Sequence, residues 1–108
     1  MVTVLLTSSA TRDLAGVPTA IAARMRKLVA RLQQWPNVSG VKHLKGDLAG
    51  KLRLRTGDYR LQFRVVEERR TEIVRIVVHG QTMADTKEVV DYRIIVEKAG
   101  HRDGIYDG

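Results

Sequence analysis

Cysteine and long apolar runs are both absent from the sequence. Without cysteine the chain cannot form a disulfide framework, an iron–sulfur cluster, a thiolate zinc site or a cysteine nucleophile. No segment approaches the roughly 18 consecutive apolar residues of a membrane-spanning helix, and residues 1–7 lack the basic start of a signal peptide. We therefore expect a cytoplasmic protein that has no membrane partner.

Metal and nucleotide motifs are missing as well. The three histidines, His43, His79 and His101, stand far apart, and none lies at metal-ligand spacing from a carboxylate. The segment 46–50 lacks the spacing and the Lys-Ser/Thr pair of a phosphate-binding P-loop. We therefore expect no metal and no other cofactor.

Positive charge is what the sequence has in excess. Its 108 residues include 19 Lys and Arg against 12 Asp and Glu, a formal charge of +7, and 44% are hydrophobic. This size and apolar content predict one domain, residues 1–108, with one core. Residues 18–64 contain eleven basic residues against two acidic ones. Such segregation is typical of a polyanion site, and an acidic protein partner or a solvated surface are the alternatives.

The N-terminal third has the pattern of one strand followed by two helices. Residues 2–7 are short and β-branched, which predicts a strand, and residues 10–15 predict a brief helix that Gly16 ends. Pro18 suits the first turn of a second helix that runs to about Trp35. Apolar residues recur in it every three or four positions, beside a basic stripe. The apolar stripe is Ile21, Met25, Leu28, Val29, Leu32 and Trp35, and the basic stripe is Arg24, Lys27 and Arg31.

Residues 51–65 alternate polar and apolar side chains around Thr56-Gly57-Asp58, which predicts a β-hairpin. Successive side chains of a strand point to opposite faces, so one face is apolar and the other basic. The apolar face is Leu52, Leu54, Tyr59, Leu61 and Phe63, and the other face is Lys51, Arg53, Arg55, Arg60, Gln62 and Arg64. Like charges on facing strands repel. Five cations without a carboxylate therefore favour a functional role over side chains that merely extend into water.

The pattern beyond this hairpin is weaker. Residues 67–70 suggest a turn, residues 72–79 a third strand, and residues 80–91 a connection with a helical turn at 84–90. Residues 92–98 return to strand character, and Gly100 ends that strand.

A phosphate site built from guanidinium and ammonium groups is the chemistry that remains. Tyr106 and His101 are the nearby groups able to move a proton, and the sequence leaves open which of them acts as acid or base. RNA suits such a site best. Its own 2′-OH can attack the adjacent phosphate, so the protein needs only to move protons and stabilise the phosphorane charge. Neighbouring cations would favour the phenolate form of a tyrosine.

Four motifs follow one another along the chain: a long basic helix that ends in Trp35-Pro36, LKGDLAG at 44–50, LRLRTGDYR at 52–60, and GHRDGIY at 100–106. In this order they resemble the RelE/ParE toxin superfamily of bacterial toxin–antitoxin pairs. The resemblance covers residues 1–65 and 92–106. About two dozen residues, near 66–91, stand where the superfamily has a short turn, and they form an atypical insertion within the single domain.

The resemblance implies an α+β fold, in which an N-terminal strand and a helical hairpin pack on a twisted antiparallel β-sheet. It implies a ribosome-dependent mRNA endonuclease that cuts the transcript in the ribosomal A site. It also implies a cognate antitoxin that holds the toxin inactive, and it admits a heterotetramer of the two proteins.

The resemblance also implies a set of site residues. Arg60 and Arg102 would hold and polarise the scissile phosphate, and Tyr106 would assist the attack. Lys51 and Arg53 would supply charge or a proton, and His101 stays a further candidate for proton transfer. The flanking cations assigned to RNA binding are Lys45, Arg55 and Arg64.

The same scaffold serves a second branch of the superfamily, the ParE type, which inhibits DNA gyrase without catalysis. Basic strand residues together with the late Arg102 and Tyr106 favour the endonuclease over the gyrase inhibitor. A basic RNA-binding domain that does not cleave is the third interpretation, and salt-sensitive RNA binding would be its mark.

Overall fold

A computed structural model of the chain describes residues 1–101. Its elements, in chain order, are β1 (Val2–Leu6), α1 (Ser8–Ala15), α2 (Thr19–Arg31), β2 (Lys42–His43), β3 (Leu52–Thr56), β4 (Tyr59–Val78) and β5 (Gln81–His101). Short 3-10 turns lie at Leu32–Gln34 and Gly46–Leu48. The predicted α+β class is confirmed. Within residues 1–101, no helix is long and apolar enough to cross a membrane.

The strands form one sheet in the order β1-β5-β4-β3-β2. β1 runs parallel to β5, and the other neighbours are antiparallel. The core lies between the helices and one face of the sheet. The residues buried there confirm the apolar stripe of α2 and the apolar face of the hairpin: Met25, Leu28, Leu32, Leu52, Leu54, Leu61, Phe63, Ile94 and Val96. Trp35 packs edge-on against Phe63, with ring centroids 5.8 Å apart.

Both helices differ from prediction at one end. The Thr7 side chain accepts a hydrogen bond from the Ala10 amide at 3.0 Å, and this cap starts α1 at Ser8, before the predicted position. α2 follows Pro18 as predicted, but its α-helical part ends at Arg31 and a 3-10 turn continues the chain. Proline disfavours helical geometry at the residue before it, so the helical segment is expected to end before Trp35.

The largest difference concerns residues 66–91, here called the arm. The predicted turn at 67–70 and the predicted helical turn at 84–90 are both wrong. β4 and β5 instead continue as one two-stranded ribbon, and the molecule is 62 Å long. The ribbon turns at His79 and Gly80, whose φ values of 50° and 78° are those of the tight hairpin turn that matches strand twist.

Ion pairs between the two strands of the arm explain why the charged residues 67–70 form a strand rather than a turn. Arg69 Nη1 lies 2.7 Å from Glu88 Oε1, and Arg70 Nε lies 2.8 Å from Asp91 Oδ2. The hydrogen bonds to Glu88 and to Asp91 raise the pKa of Arg69 and Arg70, respectively. Cross-strand pairs of opposite charge stabilise a sheet. These partners are 19 and 21 residues apart, beyond the reach of a local sequence pattern.

Candidate nucleic-acid interface

The face of the sheet opposite the helices carries the candidate site. Side chains that alternate with buried Leu52, Leu54 and Leu61 must point to this face. Strand register then places two cross-sheet rows side by side. One row is Lys42, Arg53, Gln62 and Lys98, and the next is Arg55, Arg60 and Gly100. We call the cations of this surface the basic face: Lys42, Lys51, Arg53, Arg55, Arg60, Arg64 and Lys98.

The middle of the basic face contains buried polar atoms. Gln62 is only 3% exposed, and Nε of both Arg53 and Arg60 is shielded from solvent. Within residues 1–101, Arg53 Nε and Gln62 Oε1 have no hydrogen-bond partner. Buried polar groups are nearly always paired, and an unpaired one costs about 1–3 kcal/mol. A ligand with both acceptor and donor groups would satisfy these two cross-strand neighbours.

Glu97 corrects the expectation of a face without carboxylates. The β4–β5 register steps from Gln62↔Lys98 to Phe63↔Val96, which leaves Glu97 as the extra residue of a β-bulge. Bulges re-aim side chains. Glu97 Oε1 accepts a hydrogen bond from Lys51 Nζ at 2.5 Å, and its Oε2 lies 3.7 Å from Arg64 Nε.

The carboxylate divides the basic face into two parts. Lys51 and Arg64 are partly neutralised by Glu97. Arg53 and Arg55 make no salt bridge with any residue from 1 to 101. The arginines that Glu97 does not contact therefore lie toward the Gly57 turn, where Arg55 and Arg60 are register partners.

The remaining predicted residues are not all brought to this face. Exposed Lys45 lies beside β2, with His43 at the same shallow concavity. His101 packs edge-on against Tyr59, with ring centroids 5.4 Å apart, and this register pair belongs to the helix side of the sheet. Arg102 and Tyr106 lie outside the described residues.

Two cations of the basic face were missed by the sequence pattern. Lys42 comes from a two-residue strand, and Lys98 comes from the far end of β5. Only the pairing of β2 with β3 and of β5 with β4 places them there. Among residues 1–101, no group of three or more His, Asp or Glu side chains is arranged to hold a metal ion.

Comparison with known proteins gives a family and a fold. The family described as ParE toxin of type II toxin-antitoxin system, parDE, matches residues 4–83. A chain of the RelBE2 toxin–antitoxin complex from Mycobacterium tuberculosis superposes with a TM-score of 0.59 at 26% identity, over 93% of this chain and 96% of that one. A chain of the RelB–RelE antitoxin–toxin complex from Methanococcus jannaschii superposes with a TM-score of 0.57 at 22% identity, over 95% of both. No curated protein sequence matches.

Proposed function

Since the chain belongs to the ParE toxin family of type II toxin–antitoxin systems, we propose that it is a toxin that cleaves mRNA on the ribosome. The supporting observation is Arg53 Nε, which has no hydrogen-bond partner among residues 1–101, beside the buried Gln62 Oε1 at the centre of the basic face. An RNA backbone offers phosphate oxygens to the guanidinium and a 2′-hydroxyl to the amide oxygen. DNA offers the phosphate without that hydroxyl.

The reaction needs little beyond positioning and charge. Arg53 and Arg60 hold the scissile phosphate, and the 2′-OH of the preceding nucleotide attacks it while the 5′-oxygen leaves. Lys51, hydrogen-bonded to Glu97, supplies charge at the border of the face. Arg60 is the register partner of Gly100, so the segment that carries Arg102 and Tyr106 starts within two residues of that pair. In this proposal Arg102 steadies the phosphorane, and Tyr106 and His101 are the two candidates to take the proton from the 2′-OH and to give a proton to the leaving 5′-oxygen.

The partners and setting follow from the same proposal. The solved neighbours are toxin–antitoxin complexes, and we extend this to a cognate antitoxin that covers the basic face with an acidic segment, in a heterotetramer. The chain acts as a single domain, residues 1–108, in the cytoplasm, where ribosomes translate. Arg55, Arg64 and Lys45 add contacts to the RNA backbone.

Mapping of transcript ends after induction in a sensitive host tests the cleavage. Wild type should cut translated messages, whereas Arg60→Ala and Tyr106→Phe should each lower cutting by about 10²-fold or more, the usual cost of losing a group that stabilises the transition state. Arg24→Ala, an exposed change on α2, is the matched control and should cut like wild type. Growth arrest with intact, translated messages would refute the proposal.

Inhibition of DNA gyrase is the second candidate function. The observation in its favour is that the matching family is described as ParE, and that the match ends at residue 83, before Arg102 and Tyr106. Supercoiling by purified gyrase, measured with and without the full-length chain, separates the two candidates. Inhibited supercoiling with uncut transcripts assigns the chain to the gyrase branch. RNA binding with neither effect assigns it to the non-cleaving interpretation.

A further inference from the structure

In the described part of the chain, the arm has one long strand edge without a neighbouring strand. β3 pairs with β4 only as far as Leu52↔Phe63, so residues 64–78 of β4 pair with β5 on one side and with no strand of residues 1–101 on the other. Fifteen extended residues span about 50 Å, at about 3.3 Å per residue. Such an edge presents a row of N–H and C=O groups on which another strand can pair.

Apolar side chains of the arm are also largely exposed to solvent. Ile73 is 75% exposed and Val77 is 71% exposed, and both lie toward the tip. A two-stranded hairpin is marginal in water unless more strands or a helix cover it. The covering partner is not a polyanion, because residues 66–91 contain six acidic residues against four basic ones.

The charged residues of this edge are complementary to those of a second copy of β4 that runs antiparallel to it. Two copies of β4 placed antiparallel, with Thr71 opposite Thr71, bring Glu67 opposite Arg75 and Arg70 opposite Glu72, each pair twice by symmetry. Arg75 makes no salt bridge within residues 1–101, and this register supplies one.

Four apolar residues of the edge also match in this register, whereas Ile73, Val74 and Val78 lie opposite Arg69, Glu68 and Arg64. Val65 then lies opposite Val77, and Val66 lies opposite Ile76, again twice each. Thr71 is also the midpoint of residues 64–78, so the pairing uses the whole free edge. The two neighbouring symmetric registers place Arg70 against Arg70 or Glu72 against Glu72, and like charges directly opposite are unfavourable.

The outer edge of β5 is less suited to pairing. β1 covers β5 only from Tyr92 onward, so residues 81–91 pair with no strand of residues 1–101 on that side. In the middle of this stretch, Asp85 Oδ1 accepts a hydrogen bond from the Thr86 amide at 2.7 Å, so that amide is already engaged. The β4 edge is therefore the one that a second strand can use along its full length.

We propose that two copies of this chain pair through residues 64–78 of β4. The product is a four-stranded antiparallel arm with Thr71 on its two-fold axis. The partner of the free edge is a second copy because the edge supplies its own complementary charges. The two basic faces lie at opposite ends of the joined arm, so the inference stands whether or not the chain cleaves RNA.

A charge-swap experiment on the full-length chain tests the register. By sedimentation velocity, Arg75→Glu alone and Glu67→Arg alone should each weaken self-association by about tenfold or more, because each creates two like-charge pairs. An equimolar mixture of these two variants should associate again, and so should the double variant. Arg24→Glu, the same charge change at an exposed position on α2, is the control for Arg75→Glu and should leave association unchanged.

A disulfide trap tests the symmetry axis. Facing residues of an antiparallel pair have Cα atoms about 4.5–5.5 Å apart, which a disulfide spans. The chain has no cysteine, so Thr71→Cys introduces a single thiol and should give a covalent dimer under mild oxidation. Thr86→Cys, at a position that is also exposed but lies on the β5 edge, should stay mainly monomeric.

Several outcomes would overturn the inference. They are a wild-type chain that stays monomeric up to about 100 µM, unchanged association in Arg75→Glu, failure of the mixed variants to associate, or equal cross-linking at residues 71 and 86. Amide exchange that slows in residues 64–78 only when an antitoxin is bound would assign the edge to that protein instead.

Discussion

Replacing Glu97 with Gln is expected to strengthen the binding of single-stranded RNA to the basic face. Glu97 contacts Lys51 Nζ at 2.5 Å and lies 3.7 Å from Arg64 Nε, so the substitution frees up to two cations for phosphate. Each phosphate neutralised on a single strand contributes about 0.7 to the slope of log affinity against log salt. The slope should therefore become steeper by about 0.7–1.4.

The same substitution is expected to cost stability. The side chains of Lys51 and Glu97 are 28% and 23% exposed, so the pair is partly screened by solvent. Exposed pairs contribute about 0.2–1 kcal/mol, and we expect the free energy of unfolding to fall by about 1 kcal/mol. A variant that loses stability and gains affinity distinguishes a released cation from a damaged fold, because damage would lower both.

Fluorescence anisotropy with a non-cleavable 2′-O-methyl RNA, measured over a range of salt concentrations, gives the slope. Glu88→Gln is the matched control. It also removes a carboxylate that pairs with an arginine, Arg69, but it does so on β5 of the arm. Equal slopes for the two variants, or weaker binding by Glu97→Gln than by wild type, would refute the idea that the basic face contacts RNA.

Two further predictions concern stability and pH. Met25 is 0% exposed in the core, so Met25→Ala should lower the free energy of unfolding by about 2–5 kcal/mol in denaturant titrations. The control Arg24→Ala changes an exposed residue and should alter that free energy by no more than about 0.5 kcal/mol. A small loss for Met25→Ala would contradict the packing of α2. Hydrogen bonds from Arg70 and from the N-terminal amine of Met1 hold the pKa of Asp91 below its usual range. Its contribution to stability is therefore present at neutral pH and is lost as the pH falls through this lowered pKa. Arg70→Ala should raise the Asp91 pKa in an NMR titration, and an unchanged value would contradict the pairing.

The basic face was largely predictable because it depends on a local rule. Period-two alternation on each side of Gly57 is enough to separate Arg53 and Arg60 from Leu54 and Leu61, and the structure keeps that separation. Glu97 was not predictable. Its place depends on which strand lies beside β4 and on a bulge in that pairing, and neither leaves a signal in a short window.

The arm was mispredicted because its stabilising contacts are nonlocal. Residues 67–70 have the composition of an exposed turn, and residues 84–90 contain good helix formers. The ladder between β4 and β5 overrides both preferences, because it pairs every residue from Val66 to Val78 with a partner on the other strand. The strongest local signal in the segment was the His79-Gly80 turn, which has the glycine that a tight hairpin needs.

The chain separates its charges into two kinds of surface. On the arm, Arg69 and Arg70 each form ion pairs with carboxylates, so their positive charges are largely cancelled. On the basic face, Glu97 reaches Lys51 and Arg64 but not Arg53. The cations that Glu97 does not contact therefore lie toward the end of the sheet nearest Gly57, 20 or more residues along β4 and β5 from the arm's tip. In our proposal a polyanion binds at one end of the molecule, and the other end, with paired charges and exposed Ile73 and Val77, contacts protein.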